Sequence, residues 1–445
     1  MKQRLYKVAR VSFCYLKKGN NNCTSFLKIK ILFLIKLSAP IMKLKISYFL
    51  LFIATSLHAQ QIKSIQLRPL QEKVFTSIVP LGTVLELSFD DLDADSKSYQ
   101  YKIEHMTNDW ERSRMLTSQY IDGFDQNTIL EVTNSFNTLQ SFTHYSVQIP
   151  NTNSIITKSG NYLLSVLNDF DEVVFSRKFV LYERKAIVGV SVERSRNTKT
   201  SNTQQTIQFS INHPTLQINN PRQEIKVVIL KNENWNEKIT NLQPTFFKAT
   251  QLLYTYTNKT NFWGDNEYYN FDTKFIRNRS LGIQRVEKEE VYHHYLYPEN
   301  YNEYKKYTYF PDVNGQFVIR TLEANDAETE ADYAMMHFSL NAYQPFSGKE
   351  VYVYGAFNNF ELTPENKMSF DPENGVYRAN FLLKQGFYNY SFATVGEDNK
   401  VNLRTINGSF YETENQYTVL VYYKSFGDVY ERVIGVGSGF LDQNR

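Results

Sequence analysis

Between Ala331 and Ser391 the chain alternates apolar and polar positions with a period of two. Met336, Phe338 and Leu340 face one way, Val351-Tyr352-Val353-Tyr354 follows, and Gly355 to Phe360 stops it. Asp371-Pro372-Glu373-Asn374-Gly375 reads as a turn, and Val376 to Phe381 and Tyr388 to Phe392 read as further strands. Short alternating strands rich in Tyr, Phe and Val, separated by Gly, Pro and Asn turns, predict an antiparallel β-sandwich. The same grammar recurs upstream. Val84–Phe89, Tyr99–His105, Ile129–Val132, Thr143–Val147, Tyr162–Leu167 and Val173–Leu181 predict an immunoglobulin-like sandwich over residues 60–182. Thr206–Ile211, Ile225–Leu230 and Gly315–Arg320 predict a middle sandwich over residues 183–330. The third sandwich is expected over residues 331–445, ending on Tyr417–Tyr423 and a mobile glycine-rich tail at Gly435-Val436-Gly437-Ser438-Gly439. The fold class is therefore all-β, three consecutive immunoglobulin-like or early-set sandwiches.

The leader changes the charge picture. Residues 1–59 hold eleven of the 49 Lys and Arg residues and none of the 46 acids. Met42-Lys43-Leu44-Lys45 begins a basic n-region, Ile46 to Leu57 is an apolar h-region, and Leu57-His58-Ala59 precedes Gln60. This matches a secretory signal peptide over residues 42–59 and makes residues 1–41 a mis-assigned upstream extension. The mature chain then carries 38 bases against 46 acids, a formal charge of −8 in place of +3. That excludes a basic nucleic-acid footprint. Cys14 and Cys23 both lie in the leader, so the mature chain has no disulfide, no Cys metal site and no acylated cysteine at the cleavage point.

Candidate chemistry is sparse. Asp91-Leu92-Asp93-Ala94-Asp95 starts like a calcium loop, but an EF-hand needs Gly at 96 and Glu at 102, where the chain has Ser96 and Lys102. An acidic hairpin turn is the reading. His293 and His294 are adjacent, so a strand sends their rings to opposite faces, and no metal site is expected. Gly435-Val436-Gly437 lacks the setting of a dinucleotide loop, and no phosphate loop or nucleophile elbow occurs. Carboxylates paired across distant positions remain open as glycosidase chemistry, but three sandwiches leave no room for a catalytic barrel. The expectation is a protein that is not an enzyme and holds no cofactor. Trp110 is read as a core or corner residue.

Two resemblances follow from motifs. Val353-Tyr354-Gly355-Ala356-Phe357-Asn358-Asn359-Phe360 and Gly375-Val376-Tyr377 resemble the glycogen-binding type of carbohydrate-binding module, with Phe360 where those modules carry Trp. A protein-binding sandwich of that shape is expected, and a periplasmic or surface glycan-binding protein is the alternative. Over almost the whole mature chain, the sequence is similar to the type IX secretion system plug protein family of Bacteroidetes-type bacteria. The motifs are Phe89-Asp90-Asp91-Leu92, Tyr101 to His105, Asp109-Trp110, Tyr120 to Phe124, Thr143-His144-Tyr145, Ser159-Gly160-Asn161-Tyr162, Asn266 to Asp272 and Ala331-Asp332-Tyr333. Tyr268-Tyr269 stands where the family would have Phe-Arg. The resemblance implies a periplasmic protein; no direct lipid anchor is expected, and the free form is expected to be monomeric. It would dock under the outer-membrane β-barrel translocon and close its pore while no cargo passes. Exposed aromatics suit such an interface. The candidates are Trp263, Tyr268 and Tyr269 in one aromatic segment, and Tyr292, Tyr295, Tyr297, Tyr301 and Tyr304 in another that continues to Tyr309.

Overall fold

The computed structural model describes residues 62–70, 75–301 and 306–441. The expected leader, extension and cleavage point lie outside them. The described chain is nearly all β, arranged as sandwiches.

The first sandwich spans Ile62 to Tyr182. One sheet has the order Ile62–Pro69, Leu85–Asp91, Thr143–Ile149, Glu131–Asn134. The other runs Ile78–Pro80, Val173–Tyr182, Gly160–Leu167, Gln100–Met106, Gln126–Thr128. Alternation decides the core. Leu85, Leu87 and Phe89 point in from the first sheet and meet Tyr101, Ile103, Tyr162, Leu164 and Val166 of the second. Full burial of each such side chain contributes roughly 1.5–3 kcal/mol, so a one-residue slip of register would forfeit the whole set.

The second sandwich is discontinuous, which corrects the expected boundaries at 183–330 and 331–445. Ile187–Arg194, Gln204–Asn212, Gln251–Tyr254 and Phe246–Lys248 form one sheet, with Asn261–Trp263 paired on Gln204–Asn212. The other sheet has the order Asn234–Ile239, Ile225–Lys231, Gln416–Tyr423, Arg432–Phe440. Ile225 pairs with Tyr423 and Lys231 with Tyr417. The chain's last strands thus complete a sandwich begun near residue 187. Local pattern cannot report a pairing partner so distant in sequence.

The glycine-rich tail is likewise corrected. It lies within the strand Arg432–Phe440. A Cβ on Gly435 or Gly437 would sit 2.6 or 2.3 Å from the carbonyl oxygen of Ala186 or Val188. One on Gly439 would sit 2.9 Å from the Val190 side chain. The period-two glycines form one strand face, bare enough to pack directly on the strand Ile187–Arg194.

The third sandwich is inserted between these halves and takes its strands from Tyr269 to Asn402. It therefore claims residues 269–330 that were expected in the middle domain. Its sheet runs Tyr269–Asp272, Gly386–Val395, Glu350–Tyr354, Lys367–Asp371, Val376–Lys384, Tyr333–Asn341, Tyr292–Leu296, Ile283–Lys288. Lys367–Asp371 pairs first with Glu350–Tyr354 and then with Val376–Lys384, which carries the sheet from one layer to the other. Phe271, Phe338, Phe381, Tyr388, Tyr390 and Phe392 fill the interior. Among the described residues no helix is long and apolar enough to cross a membrane.

Candidate functional site

The sequence motifs converge where sandwiches meet. Asp90 is fully buried at the junction of the first and third. It accepts hydrogen bonds from His144 Nδ1 at 2.6 Å, Tyr333 Oη at 2.6 Å and Lys384 Nζ at 2.6 Å. Ser64 Oγ lies 2.7 Å from Tyr333 Oη. The Lys384 ammonium also donates to the Glu328 carbonyl and sits 4.1 Å from the Phe142 ring centre. Burial pulls the Lys384 pKa below the usual lysine value, and the Asp90 charge opposes this. Beside it, the Asp332 carboxylate accepts from the backbone N–H groups of Leu139 at 2.7 Å and Gln140 at 3.1 Å. Residues 90, 144, 332 and 333 of three separate motifs therefore belong to one buried charged network, which holds two sandwiches together.

At the junction of the first and second sandwiches, Tyr422 Oη donates to Asn161 Oδ1 at 2.8 Å. Trp110 meets Trp235 edge to face at 4.7 Å, with Lys178 Nζ 4.9 Å from the Trp110 ring. Trp110 is thus the corner residue its position suggests. His105 is buried among Tyr120, Tyr162 and Tyr430, and desolvation pulls its pKa down to about 4. A Cβ on Gly160 would lie 2.2 Å from His105 Nε2, so that motif glycine makes room for the ring.

At the junction of the second and third sandwiches, Lys231 is buried and bonds the Asp265 carboxylate and Glu237 Oε2, the latter at 2.6 Å. Asn234 Nδ2 donates to Tyr354 Oη at 2.8 Å. Glu267 accepts from Tyr307 Oη and from the Glu414 N–H at 3.1 Å, and burial pushes its carboxyl up to about 7. A cavity of about 350 Å³ remains where all three sandwiches approach, with Arg68 and Arg177 of the first, Glu233 and Trp235 of the second and Phe360 of the third in its wall.

The structure scatters the aromatic candidates. Trp263 is 37 % exposed, with the Arg404 guanidinium 4.3 Å from its ring. Tyr268 is buried against Tyr354, Phe360, Ala393 and Leu403, so its ring is core. Tyr269 and Tyr292 are partly buried on the third core. Tyr295 lies between the His337 ring at 4.1 Å and the Arg285 guanidinium at 3.7 Å. Tyr301 packs on Phe346 at 5.5 Å. Tyr297 is 53 % exposed. Tyr304 lies outside the described residues. Phe360, at the position of the sugar-module tryptophan, is buried too. Sequence reasoning passed over a different set, the exposed Leu116, Phe124, Leu130, Ile155 and Phe170 of the first sandwich. Phe170 sits between Asp169 and Asp171, and an apolar residue inside an acidic turn was the available signal.

The possible metal ligands have other partners. Asp91, Asp93 and Asp95 bring carboxylate oxygens within 4.8 Å of one another. Lys97 Nζ bonds all three, at 2.9 Å to Asp91 and 3.1 Å to Asp95, which places a cation of the chain itself among them. His294 Nε2 donates to the Ile276 carbonyl at 2.8 Å, whereas His293 Nδ1 lies 3.0 Å from His337 Nε2 on the neighbouring strand.

The class is that of three fastened β-sandwiches, with motif residues Asp90, His144, Asn161 and Tyr333 in two of the junctions. Residues 62–183 match the family model described as type 9 secretion system plug protein 1st domain. The chain belongs to the type IX secretion plug family. A crystal structure of a hypothetical protein from Parabacteroides merdae superposes with a TM-score of 0.82 at 30 % identity, covering 85 % of this chain and 97 % of that one. A serine-rich repeat protein from Streptococcus agalactiae aligns at 10 % identity with a TM-score of 0.13, covering 86 % and 95 %, and carries no fold argument. No curated protein matches. Family membership points to a role in type IX secretion, in association with a component of that machinery, and to the cell envelope of Bacteroidetes.

Proposed function

We propose that this protein is a periplasmic plug. It docks on the inner face of the outer-membrane translocon barrel and closes the pore while no cargo passes. The observation that carries the reading is the fastening of all three sandwiches by buried charged and hydrogen-bonded junctions. A stopper must resist deformation by a pressing substrate. Close-packed β cores do so internally, and the Asp90, Asn161 and Asn234 junctions extend that resistance across the three sandwiches. The junctions use the motif residues for support, which suits a part that works by shape. Burial of Phe360 weighs against the glycan-binding alternative, because a sugar platform needs an exposed ring. Of the aromatic candidates, Trp263 and Tyr297 keep rings exposed enough to touch a partner. Deleting the gene should leave the translocon pore open and raise outer-membrane permeability to large solutes. Unchanged permeability, together with a barrel that purifies without this chain, would defeat the reading.

A further inference from the structure

We propose that the free edge of the first sandwich is the docking surface, and that its occupant is an extended segment of the translocon bearing alternating apolar and basic side chains. The proposal rests on the plug reading for the partner's identity. The surface itself rests on three observations.

The five-stranded sheet ends at Gln126–Thr128, which pairs with Gln100–Met106 on one side and, among the described residues, with no strand on the other. A sheet edge offers unpaired N–H and C=O groups to an incoming strand. Natural edges are commonly blunted by shortness, Lys or Pro; Gln126-Asn127-Thr128 is short, at three residues, but carries neither Lys nor Pro.

Large apolar side chains crowd this edge. Leu116, Phe124, Leu130 and Phe170 are 69, 70, 80 and 82 % exposed, and Ile155 is 47 % exposed. Hydrogen bonds fix their neighbourhood. Thr117 Oγ1 donates to Asp125 Oδ2 at 3.2 Å, the Phe124 N–H to the Asn153 carbonyl at 2.8 Å, and Gln126 Nε2 to Asp171 Oδ1 at 3.3 Å. Three separate segments are thereby tied beside one strand. Single exposed apolar residues are ordinary, but a group of them rimmed by polar residues marks an interaction surface.

The segments nearest the edge are acidic, with the bases Arg114 and Lys158 lying just outside them. Residues 116–130, 150–157 and 167–174 contain Asp122, Asp125, Asp169, Asp171 and Glu172, and no Lys, Arg or His. Lys102, on the adjacent strand, and Arg112 both lie 3.4 Å from Glu104 Oε1 and share its charge. Charge complementarity therefore selects a basic partner. The free edge selects an extended one, and the rings select apolar side chains between the bases.

The test is capture of the translocon barrel from detergent-solubilised native envelope by the purified mature protein, at several salt concentrations. The variants are Phe124→Asp with Phe170→Asp, and Asp122→Lys with Asp169→Lys. Both pairs lie on exposed positions and should melt with the unchanged protein. Each should capture the barrel about tenfold or more weakly, and the charge pair should also lose the salt dependence of capture. Phe124→Leu with Phe170→Leu should restore most of it. Capture by both variants at the unchanged level would overturn this surface while leaving the plug reading intact. Failure of the unchanged protein to capture any barrel would overturn the plug reading, and the partner named here with it.

Discussion

At the level of single residues, buried charge dominates. Asp90 has two cationic or potentially cationic neighbours and a phenol hydroxyl, and no water-exposed atom. Asp90→Ala leaves the Lys384 ammonium buried without its anion, which should cost about 3–5 kcal/mol of stability. Adding Lys384→Met to Asp90→Ala should recover much of that loss, because the unpaired charge is then gone. Urea unfolding of the single and double variants checks both, and an additive double variant would contradict the pairing. His105 predicts a pH effect. Its pKa is about 4 in the folded chain against an ordinary 6.5. The unfolded chain therefore binds the proton first, and stability falls as pH drops from about 6.5 to about 4. In His105→Phe the unfolding free energy should lose up to about 1.4 kcal/mol per pH unit of slope in that window. An unchanged slope would mean that the ring is not desolvated. None of these partners was legible in the sequence. Motif residues such as Asp90 and Asp332 stood out, but nothing in their spacing tells a buried ion pair from an exposed contact. For the same reason Tyr268 looked like an interface residue and is core.

At the level of strands, alternation was a dependable guide and glycine was not. Leu85, Leu87 and Phe89 were readable as one inward face because side chains alternate sides. The run Gly435 to Gly439 read as a loose tail because glycine favours turns and mobile ends. Its period of two was the overlooked signal, since Gly435, Gly437 and Gly439 share a face and that face touches backbone. Gly437→Ala would put a methyl 2.3 Å from the Val188 carbonyl oxygen, forcing the strands apart. A loss of about 1–3 kcal/mol is expected. Gly396→Ala has its nearest neighbour at 3.9 Å and should stay within about 0.5 kcal/mol of the unchanged protein. Equal effects in chemical denaturation would remove the close-packing account. The domain boundaries failed for a related reason. Tyr417–Tyr423 is plainly a core strand, but its partner Ile225–Lys231 lies across an entire inserted sandwich, and strand pairing at that distance leaves no local pattern.

At the level of the three sandwiches, the junctions and the chain path wire the described region together. The second sandwich cannot close until the chain returns at Gln416, so the inserted third sandwich is held at both ends. The first is joined through Asn161 to Tyr422 and through Asp90 to Lys384. Such wiring predicts that the described region unfolds in a single calorimetric transition, with the van't Hoff and calorimetric enthalpies equal. Asp90→Ala should break this unity from one side. The first sandwich then loses its charged hold on the third while the second and third stay wired together by chain connectivity, so two transitions should appear, the smaller belonging to the first sandwich. The consequence for secretion follows from mechanics. A plug whose first sandwich keeps only its hold on the second, through Asn161 and Trp110, would seal poorly even if it still binds, so the same variant should keep its partner in envelope purification and yet raise outer-membrane permeability. Separate transitions in the unchanged protein would remove the rigid-body basis of the plug reading. A tight seal by Asp90→Ala would show that closure depends on the docking contact alone.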